Sequence, residues 1–416
     1  MSWRKLIKNN NFVFIWISQI FSQLTINILN YTIIFSLFEK TGSSIATSLV
    51  WIFYALPVIL IGPFAASSAD MIDRRKILII TNFLQSMVIL PYALLSATHN
   101  YLVYAVVVIY SSINQFYVPA EFATIPFVVD RKNLPEANSL FLVTQQVALL
   151  LGFGFSGLLL NFIGFKYTLL ICSLFLIISF ISTTFLPSMK IKTEVPNKFD
   201  EIVLKFFTEI FVGYRFIKNN KMVLAPFLIL IFTQISLSII TVNAPAIAQN
   251  IVGVPLNMAG IYLIVPAGMG AVLASFRIPF LLSKKIRKIV IIKNSLINVF
   301  LSLLLFVFVF SYLEDNIRLL FDFLLILIIG YSYVGILVPT QTFLQQKTPF
   351  DLRGRVFGNY WFLVTLLSVF PVILSGTITD IFGVKILFGL LLIGILLLYI
   401  ILGKRDKIYV TSNNFT

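Results

Sequence analysis

Apolar runs of about 20 residues, the length a helix needs to cross the hydrocarbon core of a bilayer, recur along nearly the whole chain with only short polar breaks between them. That spacing decides which solvent the chain folds in. Hydrophobic residues make up 59% of the 416 positions and charged residues 11%, and the mean hydropathy is +0.98, more apolar surface than one water-soluble core can bury. Lipid must take the remainder. The expected crossings are 12–38, 45–67, 77–96, 101–121, 138–164, 166–187, 222–249, 257–283, 289–312, 317–340, 355–382 and 384–402. The expected fold class is therefore an all-α membrane protein with twelve transmembrane helices. The first run, Phe12 to Phe38, is too long for the apolar part of a signal peptide and lacks a small-residue cleavage site, so it reads as a signal anchor.

Charge supports the same layout. A net charge of +15 would suit nucleic acid if it were gathered in one basic domain, but the lysines and arginines stand in short clusters between apolar runs. With a cytoplasmic N-terminus, 25 of the 31 basic residues fall on the cytoplasmic side, and Lys40, Lys166, Arg318 and Lys385 fall outside. The C-terminus then shares the cytoplasmic side. One cysteine, Cys172, allows no intrachain disulfide, and one histidine, His99, allows no multi-histidine metal site, so no cofactor or metal is expected. A membrane-embedded transferase would need a catalytic acid or histidine near a membrane face, and His99 has no acidic partner in its loop.

Three segments follow: an N-terminal six-helix bundle (1–187), a polar linker (188–221) and a C-terminal six-helix bundle with a short tail (222–416). In the linker, Phe199, Ile202, Phe206, Ile210, Tyr214 and Ile217 share one face of a helical pattern, as expected of a helix lying along the membrane surface. The halves repeat. Ser156-Gly157-x3-Asn161-x2-Gly164-x-Lys166 returns as Ser375-Gly376-x3-Asp380-x2-Gly383-x-Lys385, and Val118-Pro119, read as opening an inside loop, returns as Val338-Pro339. Two parallel repeats can rock about a site near the midplane.

Between the second and third runs stands Gly62-Pro63-Phe64-Ala65-Ala66-Ser67-Ser68-Ala69-Asp70-Met71-Ile72-Asp73-Arg74-Arg75-Lys76. This resembles the signature loop of the major facilitator superfamily. Pro119-Ala120-Glu121, Ala137-Asn138-Ser139, Gly213-Tyr214-Arg215-Phe216 and Arg353-Gly354-Arg355-Val356 are similar to its branch of macrolide-efflux-like and lysophospholipid transporters. The resemblance implies a secondary transporter in a bacterial cytoplasmic (inner) membrane. It implies export of a small amphipathic or hydrophobic compound by alternating access, with lipid movement between leaflets as the alternative and a non-transporting receptor or scaffold as a remote one. The expected partners are a small-molecule or lipid substrate, a coupled proton or cation and the bilayer, with the chain a monomer and no nucleic acid bound.

The resemblance also implies a conformational latch made of Gly62, Asp70, Asp73, Arg74, Arg75, Glu121, Asp130, Arg353, Gly354 and Arg355. Asp70 would face the first turn of the eleventh helix, whose partial positive charge favours an anion, and Arg74 and Arg75 would pair with Glu121 or Asp130. In the fifth crossing, Ala148, Gly152, Ser156 and Gly157 place small residues on one face, permitting close helix packing; they resemble the family's antiporter motif with Phe153 in place of the proline.

Polar stripes mark the expected substrate pathway. Gln19, Gln23, Asn27, Asn30 and Tyr31 share a face of the first crossing; Tyr110, Asn114, Tyr117 and Glu121 share one of the fourth; Gln234, Ser238 and Thr241 share one of the seventh. Amides facing lipid are costly, so these faces should line water or meet partners. Glu121, Asp322 and Asp380 are the candidates for ion coupling, Glu121 also reading as a gate salt bridge and the two aspartates as outer-end charges. A reporter that works only in the cytoplasm, fused after Thr416, is expected to be active, and its periplasmic counterpart silent. The reverse pattern would overturn the orientation.

Overall fold

The computed structural model describes residues 6–62, 64–65, 72–95, 102–130, 133–189, 208, 211–284, 287–310, 315–349 and 353–404. Among the described residues every regular element is helical, because in an apolar solvent only a helix satisfies a single segment's peptide groups from within. In chain order they are α1 (Asn10–Thr41), α2 (Ser44–Leu60), α3 (Arg74–Leu95), α4 (Leu102–Val128), α5 (Leu134–Thr184), α6 (Lys221–Val242), α7 (Val265–Ser283), α8 (Lys288–Leu304), α9 (Asp315–Lys347), α10 (Arg353–Phe382) and α11 (Val384–Lys404). Short turns, two of them π-helical, join α6 to α7.

Among the described residues ten segments are long and apolar enough to cross a bilayer, and α2 is a shorter apolar helix. One of the ten counts twice. α5 runs for 51 residues, about 77 Å at 1.5 Å per residue, more than two hydrocarbon cores deep. Gly164 interrupts it at φ 79°, ψ 173°, a left-handed backbone that disfavours any side chain. The two arms are successive crossings, and twelve transmembrane helices result, as expected. Gly383, the repeat partner of Gly164, likewise has a positive φ of 84° and separates α10 from α11. The sequence repeat is thus a repeat of helix breaks.

Two expectations need correction. Val118-Pro119 and Val338-Pro339 do not open loops: α4 continues through Pro119 and Pro126 to Val128, and α9 continues through Pro339 to Lys347. A proline costs its helix one amide donor, but in a membrane the freed carbonyls find other donors, so the helix survives. Of the expected linker helix, 208 and 211–219 are helical, with Ile217 buried and Phe211 exposed; the rest of its pattern lies outside the described residues.

The chain divides into two compact units, Met1–Thr41 with Leu49–Phe206, and Gly42–Ser48 with Phe207–Thr416. In the first unit α1 packs along α5, and α3 packs against α5 and α4. The indole of Trp16 donates to Thr144 Oγ1 at 2.8 Å, and Ser179 and Ser182 of the second arm of α5 donate to the Ser18 and Phe14 carbonyls of α1. In the second unit α9 packs against α6, α7 and α8, while α10 packs against α6 and α11. Many of the most exposed side chains in both units are large and apolar, Phe162 and Phe276 each at 78%, the arrangement lipid contact favours.

Small residues permit the tightest approach. A Cβ on Gly330 would strike the Ala267 carbonyl of α7, and one on Gly270 would strike the Leu327 carbonyl of α9. Without a strong hydrophobic drive between helices in lipid, such backbone contact supplies much of the association through dispersion. Gly330→Ala and Gly270→Ala are expected to destabilise the protein by about 1–3 kcal/mol through forced separation of α7 and α9. A thermal unfolding series in detergent should show both, while Gly389→Ala, with nothing within 4 Å of its Cβ, should leave the midpoint in place.

Candidate functional site

The polar side chains of the first unit's helices have little access to water, so they must find each other. On α4, Tyr117 and Glu121 are one turn apart and both buried, and the Tyr117 hydroxyl donates to Glu121 Oε1 at 2.8 Å. The same hydroxyl lies 3.2 Å from Ser18 Oγ of α1, which accepts from Asn82 Nδ2 of α3 at 3.3 Å. One turn along, Gln85 Nε2 donates to Asn114 Oδ1 at 3.2 Å, and the Tyr54 hydroxyl of α2 also bears on Asn114. The network therefore joins four helices of the first unit. It is not saturated: among the described residues Glu121 Oε2, Asn82 Oδ1, Gln85 Oε1 and the Tyr110 hydroxyl are buried without hydrogen-bond partners.

The basic loop does not complete this network. Arg74 and Arg75 were expected to pair with Glu121 or Asp130; instead Arg74 Nη1 donates to the Ala123 carbonyl at 2.9 Å and its guanidinium lies over the Phe127 ring, while Arg75 Nη2 donates to the Thr184 carbonyl at 2.5 Å. Thr184 closes α5, where carbonyls are left without intrahelical donors, and a long guanidinium side chain reaches it. Asp130 is exposed past the end of α4. Asp73 caps α3, accepting from the Arg75 amide at 3.0 Å, and it also accepts from Ser188 Oγ at 2.7 Å and the Met189 amide at 3.1 Å. Partial burial pushes the Asp73 carboxyl up, but these hydrogen bonds and the nearby Lys76 outweigh it and hold the group below the usual carboxylate range. Gly62 has room, since a Cβ there would come no closer than 3.8 Å to Gln115 Oε1. Asp70 lies outside the described residues, and of Arg353, Gly354 and Arg355 only the helical backbone opening α10 is described.

The polar stripes divide. Gln19 is buried and donates to the Phe141 carbonyl of α5 at 3.1 Å; Asn27 donates to the Gln23 carbonyl at 2.7 Å, and its Cβ lies where a side chain on Gly152 would go. Tyr31 is buried, stacked on Phe35 with centroids 4.0 Å apart and edge-on to Phe153. In this structure those three positions pack α1 against its neighbours, and Gln23 and Asn30 are the half-buried members of that stripe. Ala148, Gly152, Ser156 and Gly157 are all buried in the first arm of α5, Ser156 bonding back to the Gly152 carbonyl. On α6, Gln234 accepts from the Tyr333 hydroxyl of α9 at 3.2 Å, and Ser238 and Thr241 donate to carbonyls of their own helix.

The profile of the Major Facilitator Superfamily matches residues 15–371. The chain belongs to that superfamily. It is 23% identical over 396 residues to the MFS-type transporter YfiS of Bacillus subtilis (strain 168), covering 91% of this chain and 90% of that one. It is 25% identical over 388 residues to macrolide efflux protein A of Streptococcus pyogenes, covering 90% of each. Its fold is that of the nucleoside transporter NupG (TM-score 0.71, 14% identity, 95% of this chain and 99% of that one) and of a bacterial homolog to the human lysosomal transporter Spinster (TM-score 0.71, 13% identity, 97% and 98%).

In this transporter of the major facilitator superfamily, Ser18, Asn82, Gln85 and Tyr333 join these contacts from outside the polar stripes. Asn82 and Gln85, three apart within the apolar third crossing, carried the same signal as the stripes that were read. Asp322, the other candidate for ion coupling, is 2% exposed; among the described residues neither of its oxygens has a hydrogen-bond partner, and Arg318, one turn earlier on α9, is a positive charge that bears on it. Asp73→Asn is expected to lower thermal stability at neutral pH. Because the folded carboxyl titrates below its unfolded value, its contribution is complete above the unfolded pKa and vanishes as pH falls through the folded one. The wild type and variant should therefore converge in strong acid; a constant gap across that window would mean that shape rather than charge holds this corner.

Proposed function

We propose that this transporter exports a small amphipathic compound by alternating access, and that Glu121 carries the coupling proton. Two six-helix halves, 1–187 and 222–416, joined by the 188–221 linker, are the moving parts. The observation that carries the coupling is the Glu121 carboxyl, 0% exposed, held by the Tyr117 hydroxyl on one oxygen and, among the described residues, by no hydrogen bond on the other. Unpaired charge is costly in such a place. A carboxyl there can bind a proton while enclosed and release it when water reaches it, and the Tyr117–Ser18–Asn82 chain supplies hydrogen bonds that can re-form around either state. Tyr117 is the titratable group facing it. Similarity to macrolide efflux protein A over 90% of both chains supports export as the direction and an amphipathic compound as the cargo. Half-buried amides and tyrosines, Gln23 and Asn30 in the first unit and Gln234 with Tyr333 in the second, suit a ligand of mixed polarity.

The experiment uses proteoliposomes holding the full chain, a radiolabelled macrolide and a radiolabelled lysophospholipid, with and without a pH gradient. Gradient-driven macrolide movement is expected. In Glu121→Gln it should fall by about tenfold or more while gradient-free exchange stays within about twofold, since only the proton-dependent step is removed. Macrolide transport indifferent to both the gradient and the substitution would overturn the coupling role, and movement of lysophospholipid in place of macrolide would overturn the cargo.

A further inference from the structure

Asp380, near the end of α10, does more than carry charge. Its carboxylate accepts three hydrogen bonds from the turn that opens α2: Oδ2 from Ser43 Oγ at 2.6 Å and from the Ile45 amide at 3.0 Å, and Oδ1 from the Ser44 amide at 2.7 Å. A carboxylate at a helix N-terminus satisfies amides that have no intrahelical acceptor and is favoured by the partial positive charge there. Here the cap comes not from the preceding residue but from a helix more than three hundred positions away in sequence. The same turn is fastened twice more within the second unit. Thr47 Oγ1 donates to the Val242 carbonyl at the end of α6 at 3.1 Å, and Gly376, one turn before Asp380, packs so closely that a Cβ there would strike Ser48 Oγ and the Ser44 carbonyl.

Two features make this attachment suited to release. The fasteners are hydrogen bonds and small-residue contacts, and Asp380 itself is exposed, so water can replace the carboxylate at little cost. The attached turn, Gly42–Ser48, groups with the second unit while the rest of α2, from Leu49, groups with the first. The first turn of α2 is thereby assigned to one unit and the remainder of the helix to the other. The charge is also particular to this half, because the repeat partner of Asp380 is Asn161.

We propose that Asp380 is a positioning residue of the transport cycle, a releasable cap that docks the first turn of α2 on the second unit in one conformational state and frees it in another. The proposal rests on the alternating-access reading above, but its test has an arm that needs no transport. In a Cys172→Ser background, Thr47→Cys reports the turn's exposure, Thr47 being 0% exposed in the docked state. Adding Asp380→Ala should raise its labelling rate by an impermeant maleimide about fivefold, as loss of one cap implies, and Asp380→Glu should restore slow labelling. Both variants must keep the wild-type elution profile in detergent. Equal labelling rates in folded wild type and Asp380→Ala would overturn the cap. In a second arm, Ser43→Cys with Asp380→Cys is joined by a short reducible bifunctional thiol reagent. Substrate exchange is expected to stop on linking and return on reduction; exchange at full rate while linked would show a permanent contact and overturn release. If the reduced double variant and the wild type both move no probe while the labelling arm behaves as expected, the cargo reading has failed and the cap has not.

Discussion

Peptide groups in lipid have no water to fall back on, and the rest of this structure follows from that. Each crossing is a helix because each must satisfy its own amides and carbonyls. Serine and threonine hydroxyls obey the same rule by bonding to carbonyls one turn back, as at Thr81, Thr124, Thr144, Thr233 and Thr340. Prolines are absorbed into α4 and α9 instead of ending them, and at two of the reversals a glycine, Gly164 or Gly383, takes a positive φ. Amides and carboxyls carry more donors and acceptors than one turn of their own helix satisfies, so several of them converge, and in the first unit they meet around Glu121.

Packing obeys a related constraint. Lipid tails are as apolar as the helix surfaces, so burial alone gives helices little reason to associate. Close approach supplies dispersion contacts instead, at Gly152 against Asn27 and Ile28 of α1, at Gly270 and Gly330 between α7 and α9, and at Gly376 against the first turn of α2. These contacts position the polar groups: Gly152 sets the depth of α1 against α5, and with it the height at which Ser18 meets Tyr117.

Four carboxyl groups show how placement decides role. Asp73 and Asp380 both cap helices and sit where water can reach them, the first tying α3 to the residues after α5, the second holding the turn before α2. Glu121 and Asp322 are enclosed, one held by a tyrosine and the other one turn from an arginine. Capping carboxyls hold helices in place, whereas enclosed ones cannot carry a lone charge without cost.

Number and spacing of the crossings, their helical nature, the repeat and the family were all legible in the sequence, because hydropathy, Lys/Arg clusters and the Gly62 to Lys76 loop depend on composition and local spacing alone. The positions of Gly164 and Gly383 were legible for the same reason, as parts of a repeated motif. Partners were not. Stripes of polar residues on α1, α4 and α6 announced that something must be satisfied, but whether Gln19 turns to the Phe141 carbonyl or to water depends on which helix packs beside it. Arg74 could be read as a gate charge from its motif, yet only the fold places the Ala123 carbonyl within its reach. Asp322 and Asp380 look alike in the sequence, two acids near helix ends; tertiary structure alone buries the first and seats the second on the amides of α2, because burial and hydrogen-bond partners are properties of neighbours in space rather than neighbours in the chain.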